Sequence, residues 1–191
     1  FLDKTANSRT AEAIIAMLIV IHLLSIIMQR NWFHKMMVLF TSGAFLLCVG
    51  IPFIGSYLYI HKPELFLQHD GTMLSRIQLT TTFYLRNGGF GFYGFPIEDQ
   101  DCLDMMFSYI GLHWGTAAFI IISAAIIYAI YKASREQHTS FLILLFFFLV
   151  YGWAEVAPIY PVYSYLSLLL GYYIMNRKPF YCKRPYTCAN F

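Results

Sequence analysis

LDMMFSYIGLHWGTAAFIIISAAIIYAIY, residues Leu103–Tyr131, is the longest apolar stretch of the sequence and decides its fold class. Asp104 is the only formally charged residue in this stretch. Because a bilayer core about 30 Å thick requires about 20 apolar residues in a helix, the stretch predicts a transmembrane helix.

Four further apolar stretches predict transmembrane helices of the same kind. They are Ala11–Met28, Met36–Ile60, Phe141–Val156 and Val162–Met175. We therefore predict an all-α integral membrane protein with about five transmembrane helices, a single membrane domain over residues 1–191. The predicted outer loop is 61–101 and the predicted tail is 176–191.

Overall composition supports a lipid-facing surface. Hydrophobic residues make up 59% of the 191 residues and charged residues only 12%, whereas soluble domains carry about 25% charged residues. The formal net charge of +3 is small, and the basic residues form no single patch, so nucleic-acid binding is not expected. The polar start Phe1–Thr10 has no signal-peptide pattern, and we expect the chain to be part of a longer protein.

The distribution of basic residues predicts the orientation. Eight of them fall on one side of the predicted spans: Arg30, Lys35, Lys132, Arg135, Arg177, Lys178, Lys183 and Arg184. Because Lys and Arg are enriched in cytoplasmic connections, we expect this side to be cytoplasmic. The amino end and His61–Asp101 should then face outward.

The long outer loop is the unusual segment, since loops beyond about 12–15 residues are often functional. Met73–Arg86 predicts an amphipathic helix, which would lie flat on the membrane surface. The glycine-rich stretch Asn87–Gly94 (NGGFGFYG) should end this helix and adopt positive φ angles. It lacks the βαβ context of a nucleotide-binding fingerprint, and we reject that interpretation.

Two arginines of this helix are candidates for anion binding. Arg76 and Arg86 would be about 15 Å apart along the axis and about 80° apart in direction. Guanidinium groups match phosphate oxygens. The alternative is that both side chains extend to lipid headgroups, as arginines at membrane surfaces usually do.

Candidate proton acceptors lie in the same loop and at one span end. The loop candidates are His69, Asp70, Asp99 and Asp101, and their ordinary alternative is a solvated loop. Glu155 and His113 lie within or at the edge of apolar spans, where an ionisable residue is costly and is a functional hypothesis by default.

Several short stretches together resemble the bacterial polysaccharide polymerases of O-antigen, capsule and exopolysaccharide assembly (the Wzy class), which are related to the O-antigen ligases. Asn7–Thr10 (NSRT) resembles their entry to a transmembrane helix. Leu74–Gly94 is similar to their outer-loop pattern, in which an arginine opens an amphipathic helix and Phe92-Tyr93-Gly94 would be the closing turn. The likeness is to the C-terminal half of these proteins.

A further likeness and two departures concern the start of the third span. Asp101–Gly111 (DCLDMMFSYIG) is similar to the family's next helix start. Cys102 stands where asparagine is usual, and Asp104 stands where tyrosine is usual. Glu155, near the end of the following span, is also family-like.

The resemblance implies a GT-C-like fold and a glycosyltransferase-type polymerase of the bacterial cytoplasmic membrane. The substrate would be an undecaprenyl-diphosphate-linked oligosaccharide, elongated at the outer face, with no cofactor and no metal. The chain-length regulator and flippase of the same pathway would be partners, besides membrane lipid. Arg76, with Arg86 and Arg9, would hold the diphosphate, and the base would be one of His69, Asp70, Asp99, Asp101 and Glu155.

Two other classes remain as alternatives. A transporter or flippase fragment for a lipid-linked or anionic solute would carry its key charges within the spans, beside broken helices. A non-catalytic subunit of a membrane complex would tolerate substitution of the loop arginines and acids.

Overall fold

A computed structural model describes residues 16–17, 19–21, 23–66, 72–97, 103, 105–154 and 165–175. All regular structure in these residues is helical. The α-helices named here are α1 (Arg30–His61), α2 (Thr72–Arg86), α3 (Met106–Tyr109), α4 (Gly115–Glu136), α5 (Thr139–Ala154) and α6 (Tyr165–Met175). A 3-10 turn, Pro63–Leu65, follows α1, and a π-helical turn, Ile110–Trp114, joins α3 to α4. The described residues between 16 and 27 are also helical and precede α1.

Two helices of the described chain have the length and apolar composition to cross a membrane. They are Arg30–His61, which contains the predicted span 36–60, and the helical run Met106–Glu136, which covers residues 106–131 of the predicted span 103–131. The predicted spans 141–156 and 162–175 correspond to the shorter helices α5 and α6. The prediction of an all-helical fold is therefore confirmed for the described residues, while five membrane-length helices are not.

A buried stripe runs along α1, which packs most extensively against α5 and also contacts α2. Its members recur every three or four residues, as expected for one helix face: Met37, Thr41, Ala44, Cys48, Pro52 and Gly55. The Thr41 hydroxyl donates to the Leu142 carbonyl oxygen at 3.1 Å, and Cys48 Sγ donates to the Leu149 carbonyl oxygen at 3.0 Å. Small and weakly polar side chains of this kind let apolar helices approach closely and bond across the interface.

His34 attaches the start of α1 to the turn between α4 and α5. Its Nε2 lies 3.2 Å from the Ser134 carbonyl oxygen, and its Nδ1 lies 2.9 Å from the Thr139 hydroxyl. Because a carbonyl oxygen only accepts, Nε2 must donate, and Nδ1 then accepts from Thr139. Gln137, in a left-handed conformation with φ of 55°, ends α4 just before this contact.

The carboxyl end of α6 docks onto the same region. The Tyr173 ring stacks on Phe141 at 3.7 Å between ring centroids, and Lys132 Nζ donates to the Tyr173 carbonyl oxygen at 2.8 Å. The Tyr173 hydroxyl lies 2.8 Å from His138 Nδ1 and 3.5 Å from Glu136 Oε2. These contacts join α4, α5 and α6 at one end of the bundle.

Candidate functional site

Helix α2 confirms the amphipathic helix predicted over Met73–Arg86. Its buried face packs against α1 so closely that a Cβ on Gly55 would lie 2.8 Å from Ile77 Cδ1. The buried Thr80 hydroxyl donates to Ser108 Oγ of α3 at 3.3 Å. One face of α2 is therefore held by other helices.

The end of α2 also follows the sequence prediction. Gly89 N donates to the Tyr84 carbonyl oxygen at 3.0 Å and Gly88 N donates to the Leu85 carbonyl oxygen at 3.2 Å, the pair of bonds that defines a Schellman motif. Gly88 and Gly89 have φ of 70° and 119°. Glycine adopts these angles without steric cost, so the glycine pair ends the helix.

A cavity of about 260 Å³ lies between the end of α1, α2 and the segment that follows α2. This space, the outer cavity, has aromatic walls formed by Phe53, Tyr57, Tyr84 and Phe90. Phe90 is the centre of the wall, since its ring centroid lies 5.3 Å from that of Phe53 and 5.0 Å from that of Tyr84. At about 30 Å³ per liquid water, the volume corresponds to eight or nine waters, the size range of a single sugar ring.

Polar groups enter the outer cavity from two helices. Ser56 and His61 come from α1, and Thr80 comes from α2. The His61 ring packs on Tyr57 with 4.4 Å between centroids. An aromatic wall with a few polar groups is the usual composition of a small-molecule site.

Ser56 is the least satisfied of these groups. The residue is 8% exposed, and its hydroxyl oxygen is buried without a hydrogen-bond partner in the described part of the chain. Leaving a buried hydroxyl unbonded costs about 1–3 kcal/mol, so such a group in a native structure calls for an explanation. A bound ligand hydroxyl or an ordered water would supply the missing bond.

The glycine-rich segment after Phe90 enters a break in the run Met106–Glu136. Phe95 N donates to the Leu112 carbonyl oxygen at 2.9 Å, on one side of the break. On the other side, Thr116 N donates to the Gly91 carbonyl oxygen at 3.0 Å. Gly91–Phe95, the inserted turn, thus bonds the backbone groups that the break leaves open.

The break and the inserted turn fall within the transmembrane helix predicted over 103–131. Gly115 has φ of 90° and ψ of 170°, which interrupts the regular helix after the π-helical turn. Irregular backbone is tolerated at membrane depth only where other protein groups or water satisfy it. His113, singled out for its place in an apolar span, has a structural role here, because its Nδ1 donates to the Phe95 carbonyl oxygen at 2.8 Å.

The two candidate arginines of α2 differ in environment. Arg76 is partly buried and lies one turn before Thr80, on the side of the helix that faces the outer cavity. Arg86 is exposed, with its guanidinium 5.2 Å from the Phe83 ring centroid. Neither arginine lines the cavity itself, so the structure does not bring the two around one space.

The other predicted site residues lie outside the described residues. They are Arg9, His69, Asp70, Asp99, Asp101 and Glu155. Within the described chain, no group of three His, Cys, Asp or Glu side chains is arranged to hold a metal ion.

The sequence analysis did not single out Ser56, Tyr57 or His61. Their one sequence signal was that aromatic and polar residues occur together at the end of an apolar stretch, because aromatic rings are enriched at membrane interfaces.

Comparison of the chain with protein-family models, with curated proteins and with solved structures gives no match.

Proposed function

We propose that this chain is a multi-pass protein of the bacterial cytoplasmic membrane that polymerises lipid-linked polysaccharide repeat units. The reaction transfers a glycan from an undecaprenyl-diphosphate carrier to the next carrier-linked unit at the outer face, where loop 61–101 lies. The observation that carries the proposal is the outer cavity, which is aromatic, has the size of a sugar ring and contains the unsatisfied Ser56 hydroxyl.

The walls of the outer cavity suit a saccharide. Aromatic faces pack against the C–H faces of a sugar ring, and Phe90 with Tyr84 offers such a surface. Ser56, Thr80 and His61 then bond ring hydroxyls. A site that must satisfy a buried hydroxyl discriminates strongly in favour of a ligand with a matching group.

Arg76 supplies the complementary charge for the carrier diphosphate. It lies one helical turn from Thr80, so a sugar in the cavity and a diphosphate at Arg76 are within the reach of one glycosyl diphosphate. A guanidinium forms paired, charge-assisted bonds to phosphate oxygens and so stabilises the leaving diphosphate as negative charge develops. The acceptor hydroxyl gives its proton to one of the acidic or histidine candidates, His69, Asp70, Asp99, Asp101 or Glu155.

The test uses matched pairs of variants in the full-length protein, expressed in a host whose own polymerase gene has been removed. Arg76→Gln removes the charge beside the cavity, and Lys62→Gln removes an exposed charge at the end of α1. Tyr57→Ala opens the cavity wall, and Tyr93→Ala removes a ring that is 87% exposed and away from it. Polymer length and yield are measured on gels, with membrane abundance measured by immunoblot.

Arg76→Gln and Tyr57→Ala should shorten or abolish the polymer, and both controls should retain it. If the two site variants, present at normal abundance, gave polymer of unchanged length and yield, the proposal would be wrong. That outcome is also the one expected of a non-catalytic subunit.

A second candidate function, a flippase or transporter, draws support from one observation. The break at Gly115, filled by the inserted turn, resembles the discontinuous helices beside transporter substrate sites. The two functions differ in where lipid-linked single repeat units accumulate after loss of activity. A polymerase defect leaves them on the outer leaflet, accessible to an impermeant glycosidase on intact spheroplasts, whereas a flippase defect leaves them inside and protected.

A further inference from the structure

A second, larger concavity lies at the opposite end of α1 from the outer cavity. Arg30 borders this concavity and Ser56 borders the outer cavity. At a helical rise of 1.5 Å per residue, these two residues are about 39 Å apart along α1. The concavity, the inner groove, has a volume of about 860 Å³. It runs between the start of α1, the turn from α4 to α5, and α6.

The inner groove combines apolar walls with a polar rim. Phe33, Phe141, Leu144 and Leu169 form walls from three helices. The rim carries the exposed Arg30, with Gln137 from the end of α4 and Ser140 from the start of α5. This division matches a ligand that has a long hydrocarbon chain and a polar head.

The charge of this end of the bundle selects the head group. His34 bonds to Ser134, which brings the start of α1 and the end of α4 together. Lys35, Lys132 and Arg135 therefore lie at the same end as Arg30, against the single carboxylate of Glu136 among the described residues there. Basic pockets between membrane helices bind anionic lipid head groups.

We infer that the inner groove is a binding site for one anionic phospholipid. Arg30 binds the head-group phosphate, the Gln137 and Ser140 side chains bond its oxygens, and one acyl chain lies against Phe33, Phe141 and Leu144. Burial of the acyl chain explains why the groove has apolar walls. The basic rim explains why the site prefers anionic lipid to zwitterionic lipid. The inference does not depend on the proposed polymerase activity.

The test measures lipid retained by purified full-length protein. Protein in nanodiscs of phosphatidylcholine with one-fifth phosphatidylglycerol is transferred to mild detergent, and bound phosphatidylglycerol is counted by native mass spectrometry. Arg30→Gln should lower retention about fivefold, the effect of one basic side chain at an anionic membrane surface. Lys62→Gln, a matched exposed charge at the opposite end of α1 that does not line the groove, should retain the wild-type amount.

A second pair of variants tests the groove rather than its charge. Leu144→Trp fills the groove and should abolish retention, while Leu39→Trp on the exposed side of α1 should not change it. Equal loss in Arg30→Gln and Lys62→Gln, or full retention in Leu144→Trp, would overturn the inference. Thermal unfolding of the protein is compared with phosphatidylglycerol and with glycerol phosphate added. The lipid should raise the thermal midpoint and glycerol phosphate should not. An equal rise with both would assign the site to a soluble anion instead.

Discussion

Gly94 and Gly115 lie back to back, and neither has space for a side chain. A Cβ on Gly94 would overlap the His113 carbonyl group, and a Cβ on Gly115 would overlap the Gly94 amide nitrogen. Both residues also have positive φ, 77° and 90°. The contact joins the inserted turn to the broken helix through backbone atoms alone, so it depends on two glycines that are separated in sequence.

The first prediction concerns this contact. Gly94→Ala and Gly115→Ala should each lower the thermal midpoint strongly, because each adds a backbone overlap to a positive-φ strain of about 1–2 kcal/mol. Gly88→Ala is the control, since Gly88 has φ of 70° but no atom within 4 Å of its Cβ position. Thiol-reactive dye unfolding in detergent measures all three, and equal losses in all three would show that the close contact contributes nothing.

The second prediction concerns the packing of α1 against α2. Gly55→Ala should destabilise the protein by about 1–3 kcal/mol, the range for overpacking a close contact, because the new methyl group meets Ile77. Gly43→Ala, in the same helix with open space around it, should stabilise by about 1 kcal/mol through helix propensity alone. Thermal unfolding of the two variants should therefore shift in opposite directions, and a stabilised Gly55→Ala would contradict the packing.

The third prediction tests the attachment of α1 to the turn before α5. A double-mutant cycle with His34→Ala and Thr139→Ala should give a coupling free energy of about 0.6–1.7 kcal/mol, as measured for polar pairs between membrane helices. The comparison cycle pairs His34→Ala with Ser140→Ala, whose side chain is exposed, and should give a value near zero. Coupling of similar size in both cycles would indicate a general effect of the helix end rather than the hydrogen bond.

The fourth prediction concerns orientation. With Cys102, Cys182 and Cys188 replaced by serine and the buried Cys48 retained, a cysteine at Tyr93 should react with an impermeant maleimide on intact cells. A cysteine at Gln137, exposed at the other end of the bundle, should react only after permeabilisation. The reverse labelling pattern would invert the topology predicted from the basic residues.

The sequence predicted the helices that depend on local pattern. The apolar runs located α1 and the run Met106–Glu136, and the amphipathic pattern located α2 within one residue of its start. The positive φ angles of Gly88 and Gly89 also followed from the residue type. Helix hydrogen bonds join residues four apart, so local sequence is sufficient to specify them.

The site was predicted less well, because its parts come from separate segments. Arg76 was expected to share a space with Arg86, but it lies on the side of α2 facing the outer cavity while Arg86 is exposed. Beyond its place near the end of an apolar stretch, Ser56 carried no sequence signal, because a serine in an apolar helix is ordinary until its surroundings are known. Its burial follows from α2 packing across α1.

By itself, the sequence determined that the described chain is helical, where its two longest apolar helices lie and where α2 ends. Those features depend on apolar content, on bonds within one helix and on glycine's freedom of φ. Only the tertiary structure decided that the turn at Gly94 fills the break at Gly115, that Ser56 is buried beside an aromatic cavity and that Arg30 borders a groove. Each of these requires residues far apart in sequence to meet, and their meeting is set by which helix faces pack together.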